Sequence, residues 1–392
     1  MSQKTKQSDL EELIDEIEDM IDSNHEALSN VQDKKLLLKS LKELNSIIGM
    51  ERLKTSMVLQ INFLINNRKD KGITPKMNNT ILYGPPGVGK TSVGKVLSKI
   101  WYSLGCLQKY EASRETAETP ENTALTFQKC YMVIILAVIV YSVASSLVET
   151  IMMKRILFLL VLLVSIYLIY RLQKDGKESG KSRSQSRKEI NNESDIIKVV
   201  SREDFVAGYV GQTAIKTLKL LEANRGRVLF IDEAYSLCRD DRDPFGKECL
   251  DTLTKYLSEN PEYIVIFAGY KKDIENSILK FQPGLARRCM WILECDPYDS
   301  EELSEIFITQ ANRDGWDVDD REEVRELFKK HSTQFPNYGG DTERVLHYSQ
   351  LFYSKDNLRN KKINKRLKID QIEKGVEELM INKIKNKPIE LL

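Results

Sequence analysis

The chain has 392 residues, of which 30% are charged, and its formal net charge at pH 7 is +1. This length allows two or three domains with a proper core, and the balanced charge gives no overall field for nucleic acid. The six cysteines and three histidines lack metal-ligand spacing, which argues against a zinc site and fits a reducing compartment. The polar, acidic N-terminus does not have the pattern of a signal peptide.

Helical patterns fill the first part of the chain. Ser8 to Glu11 form a capping box ahead of an apolar stripe that extends to Ile21, and further helices are predicted over about 31–44 and 51–67. The first two helices either pack on the main domain or form a docking arm for a partner. The sequence does not separate these two interpretations.

A phosphate-binding loop follows the third helix. The apolar run at 80–83 predicts a strand and residues 92–104 predict a helix, which is the context that this loop requires. Glycines let backbone N–H groups point at phosphate oxygens, and the helix N-terminus adds positive potential. Lys90 can reach the β- and γ-phosphates of ATP or GTP, and the Thr91 hydroxyl can ligate Mg²⁺. The predicted nucleotide-binding set is Gly84, Pro85, Pro86, Gly87, Val88, Gly89, Lys90, Thr91 and Ser92.

A second motif of this chemistry lies at 228–233, where four apolar residues are followed by Asp232 and Glu233. A buried parallel strand delivers such carboxylates at its C-terminal end, beside the phosphates. Asp232 suits the Mg²⁺ shell, and Glu233 suits activation of the attacking water.

The order of apolar runs predicts the fold class. Strands are expected at 79–83, 196–200, 228–232, 263–268 and 290–293, separated by helical stretches, which favours a three-layer α/β P-loop domain with a parallel sheet. From residue 298 helical stretches dominate, at 301–312, 322–330, 342–353 and 369–384, and they predict a small all-helical lid. Asp341 is expected to cap the third of these helices, with Arg344 in its first turn.

These motifs make the chain similar to the AAA+ ATPases. The closer resemblance is to the subgroup of red-type rubisco activases, stage V sporulation K proteins and related ATPases of large DNA viruses. It is carried by residues 201–214, 230–235, 267–270 and 282–288, and it covers about 45–105 and 196–360. The resemblance implies a 5-1-4-3-2 strand order, ATP and Mg²⁺ as cofactors, and a ring homo-oligomer, most simply a hexamer.

The resemblance also implies roles for residues outside the two phosphate motifs. Ile48 and Gly49 match the segment that contacts adenine. Tyr209, Val210 and Gly211 match the pore loop that grips a polypeptide in the centre of the ring.

Three further positions follow from the same comparison. Arg288, with Arg287 as the second choice, matches the arginine finger donated to the γ-phosphate in the neighbouring subunit. Arg344 matches the sensor-2 position. Tyr270 stands where many AAA+ proteins have a polar sensor Asn, so the chain departs from the family pattern there.

The family pattern is interrupted between residues 105 and 195. Two apolar runs, 131–148 and 156–170, form the centre of this insertion, and the second has no polar face, as in a helix buried in a core or in lipid. Because the chain leaves the ATPase core at Leu104 and returns to it at Ile196, a membrane passage must begin and end on one side. A spanning hairpin over 131–170 and a shallow wedge both satisfy this.

The sequence predicts five segments. They are an N-terminal helical segment (1–45), the first part of the ATPase core (46–104), the insertion (105–195), the second part of the core (196–297) and the helical lid (298–392).

The function expected from these features is a membrane-tethered AAA+ ring that hydrolyses ATP and remodels or threads a protein substrate. Residues 171–188 carry seven Lys or Arg against two acids, which predicts that the ATPase domain faces the cytoplasm. The alternative is a nucleotide-dependent membrane scaffold or switch that does not thread. A nucleic-acid motor is not expected, because the dense basic run lies beside the apolar hairpin and lacks interleaved aromatic residues.

Overall fold

A computed structural model describes residues 8–67, 79–107, 193–209, 211–358 and 364–385. The predicted apolar hairpin at 131–170, its polar tethers and Val210 of the predicted pore loop lie outside the described residues. Within the described ranges, no helix combines the length and the apolar character needed to cross a bilayer.

Five parallel strands form the central sheet in the order β2-β3-β4-β1-β5, which is the 5-1-4-3-2 order implied by the family resemblance. Each strand begins and ends within one residue of its predicted run, because each is a short apolar segment between polar or glycine-rich neighbours. The strands are β1 (Thr80–Tyr83), β2 (Ile197–Val200), β3 (Val228–Ile231), β4 (Ile264–Gly269) and β5 (Trp291–Glu294).

Helices cover both faces of the sheet. Alternate side chains of a strand point to opposite faces, so Leu82 and Phe230 join one hydrophobic cluster, while Ile81 and Leu229 join the other. The first cluster includes helices α1 (Asp9–Asp22), α2 (Lys34–Asn45), α3 (Glu51–Asn67) and α4 (Lys90–Ser103). The opposite face carries α5 (Arg202–Phe205), α6 (Gln212–Ala223), α7 (Pro244–Glu259), α8 (Lys271–Asn276), α9 (Ile278–Phe281) and α10 (Pro283–Ala286).

The N-terminal helices belong to this core. The capping box at Ser8 and Glu11 is present, and Leu10 and Ile17 are buried in the same cluster as Trp101 of α4. The segment just before α2 is bonded to the end of α4, because the Gln32 N–H donates to the Ser103 carbonyl. The structure therefore shows these helices packed on the main domain.

The lid has its own core of buried apolar residues, which includes Phe307, Phe328 and Leu379. The prediction that the lid is all-helical is wrong in one detail. Two strands of two residues each, 317–318 and 366–367, pair in parallel. The chain is extended at both places, where it leaves the first lid helix and where it enters the last one. The lid elements are α11 (Ser300–Arg313), β6 (Asp317–Val318), α12 (Arg321–Lys330), α13 (Gly339–Asp356), β7 (Arg366–Leu367) and α14 (Ile369–Lys385).

Candidate nucleotide site

A cavity of about 540 Å³ lies between the phosphate loop, the C-terminal ends of β3 and β4, and the lid. In a parallel α/β sheet this edge is where ligands bind, because the strands deliver their following loops to one side. The lining residues are Pro86, Gly87, Val88, Gly89, Lys90, Thr91, Ser92, Asp232, Glu233, Tyr235, Gly269, Tyr270, Tyr298, Ile306, Gln310, Gly339, Gly340 and Glu343.

The phosphate loop curls because two of its glycines adopt left-handed backbone conformations. Gly87 has φ +74° and Gly89 has φ +86°, and α4 begins at the next residue, Lys90. The Lys90 ammonium donates hydrogen bonds to the carbonyl oxygens of Gly84 (2.9 Å) and Pro85 (2.8 Å). Burial lowers the pKa of Lys90, while nearby groups that include Asp232 and Glu233 act in the opposite direction.

Thr91 and Asp232 meet in the cavity although they come from different strand–loop units. The Thr91 hydroxyl donates a 3.4 Å hydrogen bond to Asp232 Oδ2. Hydroxyl and carboxylate oxygens are ligands that Mg²⁺ prefers, so the residues present here fit an Mg²⁺ ion. Glu233 follows Asp232 with φ +47°, a conformation that non-glycine residues rarely adopt and that is concentrated at functional sites.

The lid contacts the phosphate loop directly. The Tyr298 hydroxyl donates to the Val88 carbonyl at 2.9 Å, and the Gly339 N–H donates to the Gly87 carbonyl at 3.1 Å. Gln310 of α11 in turn donates to the Gly339 carbonyl at 3.0 Å. Both lid segments therefore hold backbone groups of the loop that is expected to bind phosphate.

Several predicted site residues lie away from this cavity. Ile48 and Gly49 do not line it. Gly49 faces the Glu302 carboxylate so closely that a Cβ added there would overlap with it. Arg344 is exposed and also does not line the cavity, and the residues of α13 that do are Gly339, Gly340 and Glu343.

The helix around Arg344 differs from the prediction. The α13 helix starts at Gly339, so Arg344 lies in its second turn and Asp341 is not the cap. Asp341 is instead fully buried, and its carboxylate accepts a hydrogen bond from Lys383 at 2.7 Å. A buried carboxylate with a paired cation is stable inside the helix, which is why the sequence rule for an Asp cap failed here.

The residues predicted to act in the ring lie outside the cavity. Arg288 is half-buried, and its guanidinium donates to Ser258 Oγ and to the Gly284 carbonyl, both at 2.6 Å, while Arg287 is exposed. Tyr209 is 74% exposed, and Gly211 beside it has φ +81°. An exposed tyrosine two residues before a glycine in a left-handed conformation is compatible with contact with another molecule.

Comparison with known proteins identifies relatives of this chain. The chain is 23% identical over 353 residues to the putative cfxQ-like protein R730 of Acanthamoeba polyphaga mimivirus, a match that covers 88% of the chain and 66% of that protein. It is 42% identical over 106 residues to the stage V sporulation protein K of Bacillus subtilis, which covers 27% of the chain and 33% of the relative. The chain is related to the AAA+ ATPases of the CfxQ and stage V sporulation K subgroup.

Solved structures and family models were compared with the chain as well. The Thermotoga maritima RuvB Holliday junction branch migration motor matches with a TM-score of 0.43 and 17% identity, over 88% of this chain and 72% of that one. No model of a protein family matches the chain. The chain spans between a third and two thirds of the two AAA+ relatives named above. At the family level, this relationship supports nucleotide use and ATP-dependent activity.

Sequence reasoning missed several residues of this cavity. Tyr235 could have been found, because it lies two residues after Glu233 in the same motif. Tyr298 and Gln310 could not have been found, because they reach the cavity from the lid and belong to no recognisable sequence motif.

Proposed function

We propose that this chain is a Mg²⁺-dependent ATPase. The observation that carries the proposal is the meeting of the phosphate loop, the Thr91–Asp232 pair and Glu233 in one cavity beneath the lid. An ATP molecule there would place its phosphates against the loop N–H groups and the N-terminus of α4. Mg²⁺ held by Thr91 and Asp232 would neutralise charge on the phosphate oxygens.

Two side chains would do the remaining work. The Lys90 ammonium would exchange its bonds with the Gly84 and Pro85 carbonyls for bonds with phosphate oxygens. The Glu233 carboxylate, exposed at the cavity, would accept a proton from the attacking water. In this proposal the two adjacent acids serve different tasks, Asp232 as an Mg²⁺ ligand and Glu233 as the general base.

The test compares ATP binding and turnover in the full chain with those of two variants. Glu233→Gln should bind ATP as the wild type does while kcat falls by about two orders of magnitude or more, since a general base contributes ~10²–10⁴-fold. Lys90→Ala should lose most of the ATP affinity. Turnover in Glu233→Gln equal to that of the wild type would overturn the proposal.

The charge of the cavity supports assembly into a ring. Among the described lining residues Lys90 is the one cation, and it faces the acids Asp232, Glu233 and Glu343. ATP carries several negative charges, so a cationic side chain in addition to Lys90 and Mg²⁺ would stabilise the charge that develops during phosphoryl transfer. A neighbouring copy that supplies Arg288 would provide it, as in a homo-oligomeric ring, which we propose to be a hexamer.

The exposed Tyr209 supports a role in remodelling or threading a protein substrate through that ring. We further propose that the apolar runs within 131–170 tether the ring to a membrane, with the ATPase domain on the cytoplasmic side. The support is the apolar composition of these runs, the second of which has no polar face, and the basic stretch that follows them.

Carbonate-resistant membrane fractionation of the full chain, beside a variant lacking residues 105–195, tests the tether separately from catalysis. Retention of the full chain alone, with ATP turnover in both proteins, is the expected result. A full chain that is extracted by carbonate would contradict the tether and leave the ATPase proposal standing.

A further inference from the structure

Two tyrosines to which the proposed reaction gives no role line the cavity. Tyr235 is in the 3₁₀ turn 234–237 directly after β3, and Tyr270 directly follows β4. Because β3 and β4 are adjacent parallel strands, the residues that follow them emerge side by side. Their rings are stacked, with centroids 5.5 Å apart and an interplanar angle of 22°.

The surrounding backbone is shaped to hold this pair. Gly269, which also lines the cavity, lies against Tyr235, and a Cβ added there would approach Tyr235 Cδ1 to 3.0 Å. That separation is tighter than ordinary van der Waals contact, so a larger residue at this position would have to displace the Tyr235 ring slightly.

Each ring is placed beside one charged group of the proposed reaction. The Lys90 ammonium lies over the Tyr270 ring, 4.9 Å from its centroid, within the range of a cation–π contact. Tyr235 lies two residues after Glu233, on the turn that Glu233 caps.

The electrostatics keep both hydroxyls protonated at neutral pH. Burial, followed by the negative charge of Glu233, raises the pKa of Tyr235 to about 12, and the same two causes raise the pKa of Tyr270. The Tyr235 hydroxyl is therefore a hydrogen-bond donor beside a carboxylate. A hydrogen bond donated by this hydroxyl would hold the Glu233 carboxylate in one orientation.

We infer that Tyr235 and Tyr270 are positioning residues for ATP hydrolysis, in which Tyr235 orients the Glu233 carboxylate and Tyr270 holds the Lys90 ammonium until phosphate binds. The stacked rings join the two, so the base and the phosphate-binding lysine are placed by one rigid unit. This inference rests on the proposed ATPase function. Both tyrosines act through other residues and do not contact the reacting atoms.

The test uses Tyr235→Phe, which keeps the ring and its stacking and removes the hydroxyl. We expect kcat to fall by roughly tenfold, a part of the full effect of a general base, while KM and ATP affinity change less than about twofold. In a Glu233→Gln background the same substitution should have no further effect, because the group it orients is gone. Tyr102→Phe, on α4 and away from the cavity lining, is the control.

Tyr270 is tested by two substitutions. Tyr270→Phe keeps the face beneath Lys90 and should leave ATP affinity within about twofold of the wild type, whereas Tyr270→Leu should change it more, because the cation–π contact is lost. Unchanged kcat in Tyr235→Phe, or an equal loss with and without Glu233, would overturn the role of Tyr235. Equal affinities in the two Tyr270 variants would overturn the role of Tyr270.

These outcomes are distinguishable from failure of the ATPase proposal. That failure would appear as wild-type turnover no greater than that of Glu233→Gln, in which case the inference falls with it. Failure of the inference alone requires an active wild-type chain whose Tyr235→Phe variant behaves identically.

Discussion

The Gly339 N–H donates a 3.1 Å hydrogen bond to the Gly87 carbonyl, which joins the first residue of a lid helix to the middle of the phosphate loop. The approach is so close that a Cβ added to Gly87 would overlap with the Asn337 carbonyl. The lid therefore packs against loop backbone directly, without a side chain between them. Any change in the loop on binding nucleotide would be transmitted to the angle of the lid.

The first prediction concerns this contact. Gly87→Ala should lower ATP affinity by about tenfold or more, because the new methyl group must displace the lid backbone and the φ of +74° disfavours alanine. Isothermal titration with a non-hydrolysable ATP analogue measures the loss. Gly315→Ala is the matched control, since Gly315 has φ +76° but its Cβ would meet only the end of the Lys365 side chain, at 3.7 Å. Similar affinity losses in both variants would show that backbone strain, and not the lid contact, is responsible.

The second prediction concerns Arg288. Its bonds to Ser258 and Gly284 use two of the five donors of the guanidinium and fix its plane, which leaves donors free for a neighbour's phosphate. We expect Arg288→Ala to lower kcat by about 10³-fold, the scale of an arginine finger, and Arg287→Ala to lower it by less than about tenfold.

Mixing Arg288→Ala subunits with Lys90→Ala subunits tests whether Arg288 acts between subunits. Activity should return in the mixture, because an intact pocket can then meet an intact Arg288. A mixture as inactive as its two components would contradict action in trans. A larger loss in Arg287→Ala than in Arg288→Ala would assign the finger to Arg287.

The third prediction separates a threading motor from a membrane scaffold. Tyr209→Ala should leave ATP turnover within about twofold of the wild type but abolish ATP-driven unfolding of a tagged model protein, because the exposed ring is the proposed grip. Tyr209→Phe keeps the ring and should retain the unfolding activity. Unfolding that survives Tyr209→Ala would favour the scaffold or a different gripping residue.

The fourth prediction concerns a largely buried ion pair that contacts the 3₁₀ turn 234–237. Arg202 donates two hydrogen bonds to the Asp243 carboxylate, at 2.6 and 3.1 Å, and two more to the carbonyls of Ser236 and Leu237. Arg202→Met should lower the free energy of unfolding by about 3–5 kcal/mol, since it leaves a largely buried carboxylate unpaired. Arg366→Met, which removes a half-exposed cation, should cost no more than about 1 kcal/mol. Urea denaturation measures both.

The same pair predicts a dependence on pH. Burial alone would raise the pKa of Asp243, but the hydrogen bonds from Arg202, Gly246 and Arg239 lower it below its usual value. A carboxyl whose pKa is depressed in the folded state stabilises the protein above the unfolded pKa of about 3.9, and this stabilisation is lost as the pH falls. The stability gap between wild type and Arg202→Met should therefore shrink in acid, and a gap that stays constant to about pH 3 would contradict the assignment.

The parts of the fold that were predictable are those encoded locally. The five strands are apolar runs bounded by polar residues, and the glycines, Lys90 and Thr91 lie within one short motif, so the loop and its flanks could be placed from sequence. Asp232 could be placed beside Thr91 because parallel strands share one C-terminal edge.

The remaining features depend on contacts that sequence patterns do not carry. Asp341 has the sequence of a helix cap, but the distant Lys383 makes it stable inside the helix. The β6–β7 pair joins segments that carry no strand pattern of their own. The partners of Arg202 lie on a turn and a helix cap far along the chain, so no local spacing indicates them.

The partly buried Lys383 has a consequence for the end of the chain. Its ammonium bonds to Asp341 and to the Gln334 carbonyl, and Asp341 accepts the N–H of Asn337, whose neighbour Tyr338 precedes Gly339. The last helix of the described chain is thus linked, through one buried carboxylate, to the backbone that touches the phosphate loop. Trimming this helix, or binding a partner to it, would therefore alter nucleotide affinity although the helix does not line the cavity.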